Sequence, residues 1–287
     1  VLIVGAGPAG LEAARDLGQR GYRVTLADKA SEAGGRLVQE RRLPGLAEWG
    51  RVVDHRTYQI SQMANVDLYL ESLMTPETLN DFGADHIAIA TGAKWKKDGI
   101  GRQNPLGIEI AAGVKVLSPD DIMAGIEPKG PVVVFDDDHF YMGGAIAEKL
   151  RRDGCEVTLV TPAAKVSSWT HNTLDQHAVQ KQLMELGVRV VTSPNLSAVH
   201  SNAVDLSCVY TDTSKALDCA ATVLVTMRQP VDELWQACPD LIRIGDALGP
   251  STIAAAVHSG HLFARELGEL NPGDVPFRRE LINLSLS

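Results

Sequence analysis

The sequence predicts an α/β protein made of two Rossmann-like dinucleotide-binding domains, the second inserted into the first. A strand, a glycine-rich turn, a helix, a second strand and an acid follow one another within the first 28 residues. The same order of elements restarts near residue 132, there without the bare glycines. A last strand at 241–244, after the second copy has ended, delivers Gly245 and Asp246.

Length and composition agree with that organisation. The chain has 287 residues, 45% of them hydrophobic, which is enough for two domains with a core each. We expect a discontinuous first domain at 1–103 plus 230–287 and an inserted second domain at 104–229. The net charge of −9 disfavours nucleic acid and anionic membranes as partners, and no apolar run approaches the roughly 18 residues of a membrane span. We expect a cytoplasmic location.

Apolar runs of four to seven residues between turn residues predict the strands, and apolar residues three and four apart predict the helices. Residues 96–130 are rich in Gly, Pro and Lys and are interpreted as a crossing between the domains. Because the chain opens directly on a strand, we expect it to be a piece of a longer protein. In chain order the predicted strands are 1–4, 22–27, 66–70, 86–90, 132–135, 156–161, 188–192, 204–210, 221–226 and 241–244, and the predicted helices are 11–20, 145–152, 173–186 and 252–270.

The first turn, residues 5–10, has the spacing of a dinucleotide-binding turn. Gly5 permits a tight turn, Gly7 lets a diphosphate approach the backbone, and Gly10 lets helix and strand pack closely. The helix N-terminus offers free N–H groups and a partial positive charge to phosphates. Asp28, 18 residues after Gly10, would accept hydrogen bonds from the ribose hydroxyls of an adenosine and repel a 2′-phosphate. These residues favour an ADP moiety; a glycine turn used only for packing is the alternative.

Three further segments, 34–36, 90–92 and 245–246, match the pattern of flavoproteins with two dinucleotide domains. In such flavoproteins the Gly-Gly loop backs the diphosphate, the Thr-Gly turn marks the exit to the second domain, and the late Asp binds the ribityl or diphosphate region. We expect no catalytic residue and no metal ligand in this chain. The predicted cofactor-binding residues are Gly5, Gly7, Pro8, Ala9, Gly10, Asp28, Lys29, Gly35, Arg36, Leu37, Trp49, Ala90, Thr91, Gly92, Gly245 and Asp246.

The second copy has three carboxylates, Asp136, Asp137 and Asp138, where a nicotinamide dinucleotide needs bare backbone. Carboxylates at a helix N-terminus are stabilised by the helix dipole and repel a diphosphate. We therefore expect a Rossmann-like domain that no longer binds NAD(P)H. A metal site formed with His139 and a simple capping cluster are the alternatives.

The cysteines, histidines and tryptophans give weaker evidence for a functional site. The four cysteines contain no CxxC pair, which argues against zinc, an iron–sulfur cluster and a redox dithiol. His258 and His261 could face one side of the last helix, but no carboxylate stands at matching spacing, so exposed or capping histidines are favoured. Trp49 and Trp95 either flank the nucleotide or pack inside a domain.

Several of these motifs together resemble one family. Leu43–Trp49, Ala90–Trp95, Asp136–Tyr141, Val166–Thr170 and Gly245–Ala247 look like the C-terminal half of the trimethylamine, dimethylamine and histamine dehydrogenases, and the tail from Asn271 is similar to that family's end. These are iron–sulfur flavoenzymes related to 2,4-dienoyl-CoA reductase. The chain departs from the family pattern where residues 104–115 look abbreviated, where 219–241 looks short and where Thr226-Met227-Arg228 replaces Thr-Gly-Arg.

The resemblance implies longer proteins that oxidise small amines on an N-terminal TIM barrel carrying FMN and a [4Fe-4S] cluster. It implies bound ADP in the first domain, an electron-transferring flavoprotein as redox partner and a homodimeric whole. This chain alone is then expected to lack the catalytic centre. The alternative is a FAD-dependent NAD(P)H reductase module, as in dienoyl-CoA-reductase-like enzymes. An NAD-linked dehydrogenase using the first motif leaves the other glycine segments unexplained.

Overall fold

A computed structural model of the chain describes residues 1–211 and 213–269. They form two compact units, each discontinuous in sequence. Of the described residues, the first unit contains Val1–Arg36, Arg51–Gly92 and residues 230–269, and the second contains Leu37–Gly50 and residues 93–229. Within the described ranges no helix is long and apolar enough to cross a membrane.

The strands and helices are short. In chain order the strands are β1 (Leu2–Val4), β2 (Val24–Ala27), β3 (Val66–Tyr69), β4 (Ile87–Ile89), β5 (Ala93–Trp95), β6 (Glu109–Ile110), β7 (Val132–Asp136), β8 (Val157–Thr161), β9 (Arg189–Thr192), β10 (Pro194–Val199), β11 (Ala203–Cys208), β12 (Ser214–Asp218), β13 (Ala221–Val225), β14 (Arg228–Pro230) and β15 (Ile242–Arg243). The α-helices are α1 (Pro8–Gln19), α2 (Leu37–Glu40), α3 (Gly50–Ser61), α4 (Pro76–Phe82), α5 (Pro119–Met123), α6 (Tyr141–Arg152), α7 (Gln176–Glu185), α8 (Glu233–Ala237) and α9 (Ile253–Glu266), with 3₁₀ turns at Ala47–Trp49, Ser168–Thr173 and Gly245–Ala247.

The first unit is built on a parallel five-stranded sheet in the order β15-β4-β1-β2-β3. β1 is buried along its whole length, and Leu2 pairs with Thr25 on one side and with Ile87 on the other. The chain leaves β1 toward β2 and β3 and later returns to β4 and β15 on the opposite side. The carboxyl ends of β1 and β4 therefore flank the point where strand order reverses, which is where open α/β sheets bind ligands.

Helices α1 and α9 of the first unit pack in close contact. A side chain at Gly260 of α9 would overlap the backbone of Ala9 at the start of α1. Helix α1 begins with Pro8, whose fixed φ suits the first helical position and whose missing N–H is not needed there. Thr252 caps α9 by accepting a hydrogen bond from the Ala255 N–H at 3.2 Å.

The second unit repeats the same sheet and adds antiparallel strands. Its main sheet is parallel, in the order β13-β7-β8-β9, and β7 is completely buried. A second sheet has the order β12-β11-β10-β6, with antiparallel hairpin pairing through β10, β11 and β12, and β14 pairs with β5. The apolar core lies between the main sheet and its helices, with Ile146, Leu159 and Val223 fully buried.

These elements confirm the mixed α/β prediction with parallel sheets and correct part of the expected layout. Residues 96–130 are not a crossing between domains: they belong to the second unit and contain β6 and α5. The units separate at Gly92 and Gln229, and residues 37–50 group with the second unit, whereas we predicted boundaries after 103 and 229. The tail from Asn271, which carried part of the resemblance, lies outside the described residues.

Candidate functional site

The glycine turn after β1 has a backbone that only glycine tolerates. Gly5 has a φ of +112°, and a Cβ there would overlap the Ala90 carbonyl. A Cβ on Gly10 would overlap the Gly5 carbonyl, so the first turn of α1 lies directly against the strand end. Ala90 is thereby placed beside the turn at the carboxyl end of β4. These contacts are those of a tight strand-to-helix turn.

A second glycine pair faces the first turn. Gly34 N–H donates to the Ala6 carbonyl at 2.7 Å and fixes the 34–35 loop beside the turn. A Cβ on Gly7 would have only the Gly35 Cα within 4.0 Å, and a Cβ on Gly35 would lie 3.1 Å from the Gly7 Cα. The two glycine loops therefore approach each other closely, and a side chain on Gly35 would crowd the Gly7 backbone. Bare backbone beside a helix N-terminus suits the close approach of a diphosphate.

Asp28 stands at the end of β2 and is tied to the same turn. Its Oδ2 accepts a hydrogen bond from the Ala6 N–H at 2.6 Å, and its Oδ1 accepts one from the Ala30 N–H at 2.8 Å. A carboxylate has about four lone-pair sites, so two remain for other donors. The partly exposed Asp28 can therefore hold the turn in place and accept ribose hydroxyls at the same time.

The late glycine segment also lies at this turn. A Cβ on Gly245, whose φ is +61°, would lie 2.5 Å from the Ala9 Cβ. Gly245 N–H donates to Ser259 Oγ at 2.9 Å, and Asp246 Oδ1 accepts from the Ser251 N–H at 3.1 Å. Ser259 holds this segment, and sequence reasoning missed it because it is one polar residue inside a long helix.

The Thr91-Gly92 turn is fixed by a partner 140 residues away. Thr91 Oγ1 donates to the Val231 carbonyl, and the Val231 N–H donates to the Gly92 carbonyl at 2.9 Å. Gly92 has a φ of +78°. No local signal marks Val231, because the contact depends on the return of the chain to the first unit.

The remaining predicted site residues are distributed over both units. Pro8 and Ala9 are in the first turn of α1, Lys29 is exposed after Asp28, and Arg36 follows the 34–35 loop. Leu37 and Trp49 belong to the second unit. The Trp49 ring packs edge-to-face against Tyr141 with centroids 5.3 Å apart, as in the packing alternative.

The corresponding turn of the second unit is filled by its own side chains. Asp136 is fully buried, its Oδ1 accepts from the His139 N–H at 3.0 Å, and a Cβ on Gly143 would overlap its side chain. Burial, reinforced by the charge of Asp138, raises the pKa of Asp136 to about 7. Burial likewise raises the pKa of Asp138, against the opposing charges of Arg228 and Arg102. No group of three or more potential ligands in 1–211 and 213–269 could hold a metal ion.

One histidine of the last helix, His261, lies beside carboxylates, contrary to the expectation from the sequence. His261 Nδ1 lies 3.5 Å from both Glu12 Oε1 and Asp16 Oδ2, two carboxylates of α1 that spacing along α9 could not reveal. Burial works to raise the pKa of Glu12, but hydrogen bonds and charges from Arg15 and Arg56 outweigh it and leave the pKa lowered. This ionic cluster ties α1 to α3 and α9, while His258 is exposed.

Comparisons with known proteins agree with the two repeated folds. The NAD(P)-binding Rossmann-like domain family matches residues 3–69, and the OYE-like second alpha/beta domain family matches residues 117–226. A dimethylamine dehydrogenase from Hyphomicrobium sp. (strain x) is 32% identical over 319 residues, covering 98% of this chain and 43% of the relative.

Solved structures extend that similarity. Histamine dehydrogenase from Rhizobium sp. 4-9 superposes with a TM-score of 0.93 at 46% identity, covering 99% of this chain and 46% of that one. The 6-hydroxypseudooxynicotine amine oxidase of Pseudomonas geniculata N1 gives 0.91 at 42% identity, covering 93% and 42%. Thioredoxin reductase of T. acidophilum, at 17% identity and a TM-score of 0.59, shares the fold alone. The chain spans less than half the length of its amine-oxidising relatives.

Proposed function

Because this chain belongs to the trimethylamine, dimethylamine and histamine dehydrogenase family, we propose that it is the ADP-binding, largely structural part of an amine dehydrogenase-type oxidoreductase. The observation that carries this proposal is the contrast between the two repeated turns. The first has the bare backbones of Gly7 and Gly35 close together beside the start of α1, with Asp28 at the next strand end. The second has the buried Asp136 carboxylate in the corresponding place.

The residues of the first turn would divide the nucleotide between them. The N–H groups at the start of α1 and the Gly7 and Gly35 backbones would hold the diphosphate. The two free lone-pair sites of Asp28 would accept the ribose hydroxyls. The negative charge of Asp28 disfavours a 2′-phosphate, so ADP is preferred over its 2′-phosphorylated form.

The oxidation of a small amine would take place outside this chain. We propose that FMN and a [4Fe-4S] cluster reside in the rest of the longer protein, that an electron-transferring flavoprotein accepts its electrons and that the whole is a homodimer. ADP supplies binding energy and no redox chemistry. Its contribution would be to stabilise the fold of the first unit, since a ligand that binds only the folded state adds its binding free energy to stability.

A FAD-dependent NAD(P)H reductase module is the second candidate, because the same turn, the 34–35 loop and Asp28 suit the ADP half of FAD equally well. The second turn argues against it. Hydride transfer from NAD(P)H needs a nicotinamide site, and Asp136, Asp137 and Asp138 stand in the turn that would form one.

Identification of the released nucleotide separates the two candidates. The purified chain is denatured, the protein is removed, and the supernatant is analysed by absorbance and mass spectrometry. We expect colourless ADP in near-stoichiometric amount. A yellow supernatant containing FAD would refute the ADP proposal and support the reductase. A Gly7→Val variant, whose side chain would cover the bare backbone that the diphosphate is proposed to approach, serves as control and should release no nucleotide.

A further inference from the structure

Residues 99–107 of the second unit form a small closed loop, here called the 99–107 loop. Its base is closed by a hydrogen bond from the Ile108 N–H to the Asp98 carbonyl at 3.1 Å. Inside it, the Gly101 and Gly107 N–H groups both donate to the Asn104 carbonyl, at 3.1 and 3.0 Å. Its ends are close together and its interior is self-bonded, as in compact surface loops that act as one unit.

The loop lies across the carboxyl ends of two neighbouring strands. Gly101 is buried, and a Cβ there would overlap Asp137 Oδ2 and lie 3.1 Å from the Thr226 Cβ. Asp137 directly follows β7 and Thr226 directly follows β13. The Gln103 N–H donates to Asp137 Oδ2 at 2.9 Å, so the backbone of the loop is bonded to the strand end beneath it.

Two side-chain contacts hold the rest of the loop. The Arg102 guanidinium stacks over the Trp169 ring at 4.0 Å from its centroid, and Trp169 lies in the 3₁₀ turn that follows β8. Asn104 and Asn195 exchange amide hydrogen bonds of 3.0 and 2.9 Å. The loop is thus fixed to segments that follow β13, β7 and β8, three adjacent strands of one parallel sheet.

This position is the ligand crevice of the second sheet. The chain runs from β7 to β8 and β9 on one side and reaches β13 on the other, so strand order reverses between β7 and β13. In open α/β sheets the crevice outside the carboxyl ends at such a reversal is where dinucleotides bind. Gly101 lies there against Asp137 and Thr226, which follow the strands on the two sides of the reversal. The Gln103 backbone is bonded to Asp137 at the same place.

We propose that the 99–107 loop is a built-in occupant of the dinucleotide crevice of the second unit and keeps it closed to nicotinamide nucleotides. The three aspartates explain why a diphosphate would be repelled; the loop explains what fills the space instead. Loop and carboxylate stabilise each other, because Asp137 is fully buried and loses a hydrogen-bond donor if Gln103 departs. The proposal concerns the second unit alone and stands whether or not the first unit binds ADP.

Limited digestion with trypsin tests the loop directly, because the Arg102–Gln103 bond is a trypsin site inside it. Cleavage needs the loop to leave the crevice, so its rate reports the population of the released state. Two variants remove one anchor each: Asp137→Ala removes the acceptor of Gln103, and Trp169→Leu removes the ring under Arg102. Trp169 is 41% exposed, so its replacement leaves the core intact. Leu106→Ser is the matched control, since Leu106 is 96% exposed at the loop tip.

We expect both anchor variants to be cut after Arg102 about fivefold faster or more, the change typical of losing one hydrogen bond or one cation–ring contact. Cleavage after Arg189, which is paired with β8 in the main sheet of the same unit, should be unchanged and monitors unfolding of that sheet. Wild-type cleavage should also be unaffected by NADH or NADPH at about 1 mM, the upper end of the usual range of KM values. A folded anchor variant cut at the wild-type rate would contradict the assigned anchors. A change of the wild-type rate with either nucleotide would show that the crevice is open and overturn the proposal.

Discussion

At the scale of single residues, Asp28 holds the glycine turn in place and is the proposed acceptor of the nucleotide ribose. Replacing it by Ala removes the acceptors of the Ala6 and Ala30 N–H groups and the proposed acceptor of the ribose. We expect Asp28→Ala to weaken ADP binding by at least about tenfold, since about 1.4 kcal/mol is a factor of ten and a hydrogen bond to a charged group contributes at least that much. Isothermal calorimetry measures the change.

The charge of Asp28 can be tested separately from its hydrogen bonds. Asp28→Asn keeps one oxygen acceptor and removes the repulsion, so the preference for ADP over 2′-phosphorylated ADP should shrink. Asp81→Ala, an exposed aspartate of α4, is the control for a loss of charge elsewhere in the first unit. Equal ADP affinity in Asp28→Ala and Asp81→Ala would remove Asp28 from the site.

The raised pKa of the buried Asp136 predicts that the stability of the protein depends on pH. Burial and the charge of Asp138 raise its pKa to about 7, whereas in the unfolded chain it is about 3.9. Between these values the folded state binds more protons than the unfolded state, so the free energy of unfolding falls as pH rises and levels off above about 8. In the Asp136→Asn variant, the fall in the free energy of unfolding between pH 4 and 8 should be smaller by about 2–4 kcal/mol.

Urea denaturation at a series of pH values measures that slope. Asp218→Asn, at an exposed aspartate of the same unit, should leave it unchanged. The absolute stability of the Asp136→Asn variant is a separate quantity, because the new amide has to find partners where Oδ2 has no hydrogen bond. A slope equal to that of the wild type would mean that Asp136 is ionised in the folded protein across the whole range.

At the scale of the elements, the close contact of α1 and α9 depends on Gly260. A Cβ at this position would overlap the backbone of Ala9, so one of the two helices has to shift. We expect Gly260→Ala to lower the free energy of unfolding by about 1–3 kcal/mol, the usual cost of overpacking. Gly249→Ala is the control, because a Cβ there meets nothing within 4 Å. Thermal unfolding of the two variants under the same conditions measures the difference in stability.

The elements also show where sequence reasoning works. The turns at Gly5 and Asp136 and their flanking strands were predictable, because continuous apolar runs bounded by turn residues have few other structures available. Helix α3 was not predicted: Val53 and Ile60 are its only fully buried apolar residues, too few for a periodic signal. β12 was missed because its first three residues are exposed and it is held by pairing with β11.

The candidate site likewise contains residues that local sequence predicts and residues that only distant contacts bring into place. The glycines and Asp28 could be found from the sequence because their roles follow from local backbone geometry and the strand-to-helix order. Val231, Ser259 and the 99–107 loop could not, since each acts through a contact with a distant segment. For the loop, a stretch rich in Gly and Pro with little periodicity predicted a crossing. The loop is instead held by the bond from the Gln103 N–H to Asp137 after β7 and by the stacking of Arg102 on Trp169 after β8.

At the scale of the whole molecule, the same order of strand, turn and helix occurs in both units, but the turn is made of bare glycine backbone in the first and is filled by side chains in the second. The first unit has glycines at the switch point of its sheet, where the bare backbones of Gly7 and Gly35 lie close together. The second has Asp136 in the turn and the 99–107 loop over the strand ends. With the proposed function, this asymmetry predicts one nucleotide, bound by the first unit, and that position can be tested without any measurement of activity.

Hydrogen exchange followed by mass spectrometry provides that map. A ligand that binds only the folded state slows exchange in the unit that holds it. With ADP added to nucleotide-free protein, we expect slower exchange in peptides from 1–36 and 245–260 and no change in peptides covering 132–144. Asp28→Ala, measured at the same ADP concentration, should lose most of the protection. Protection at 132–144 would place the nucleotide in the second unit, and it would then have to coexist with a buried Asp136.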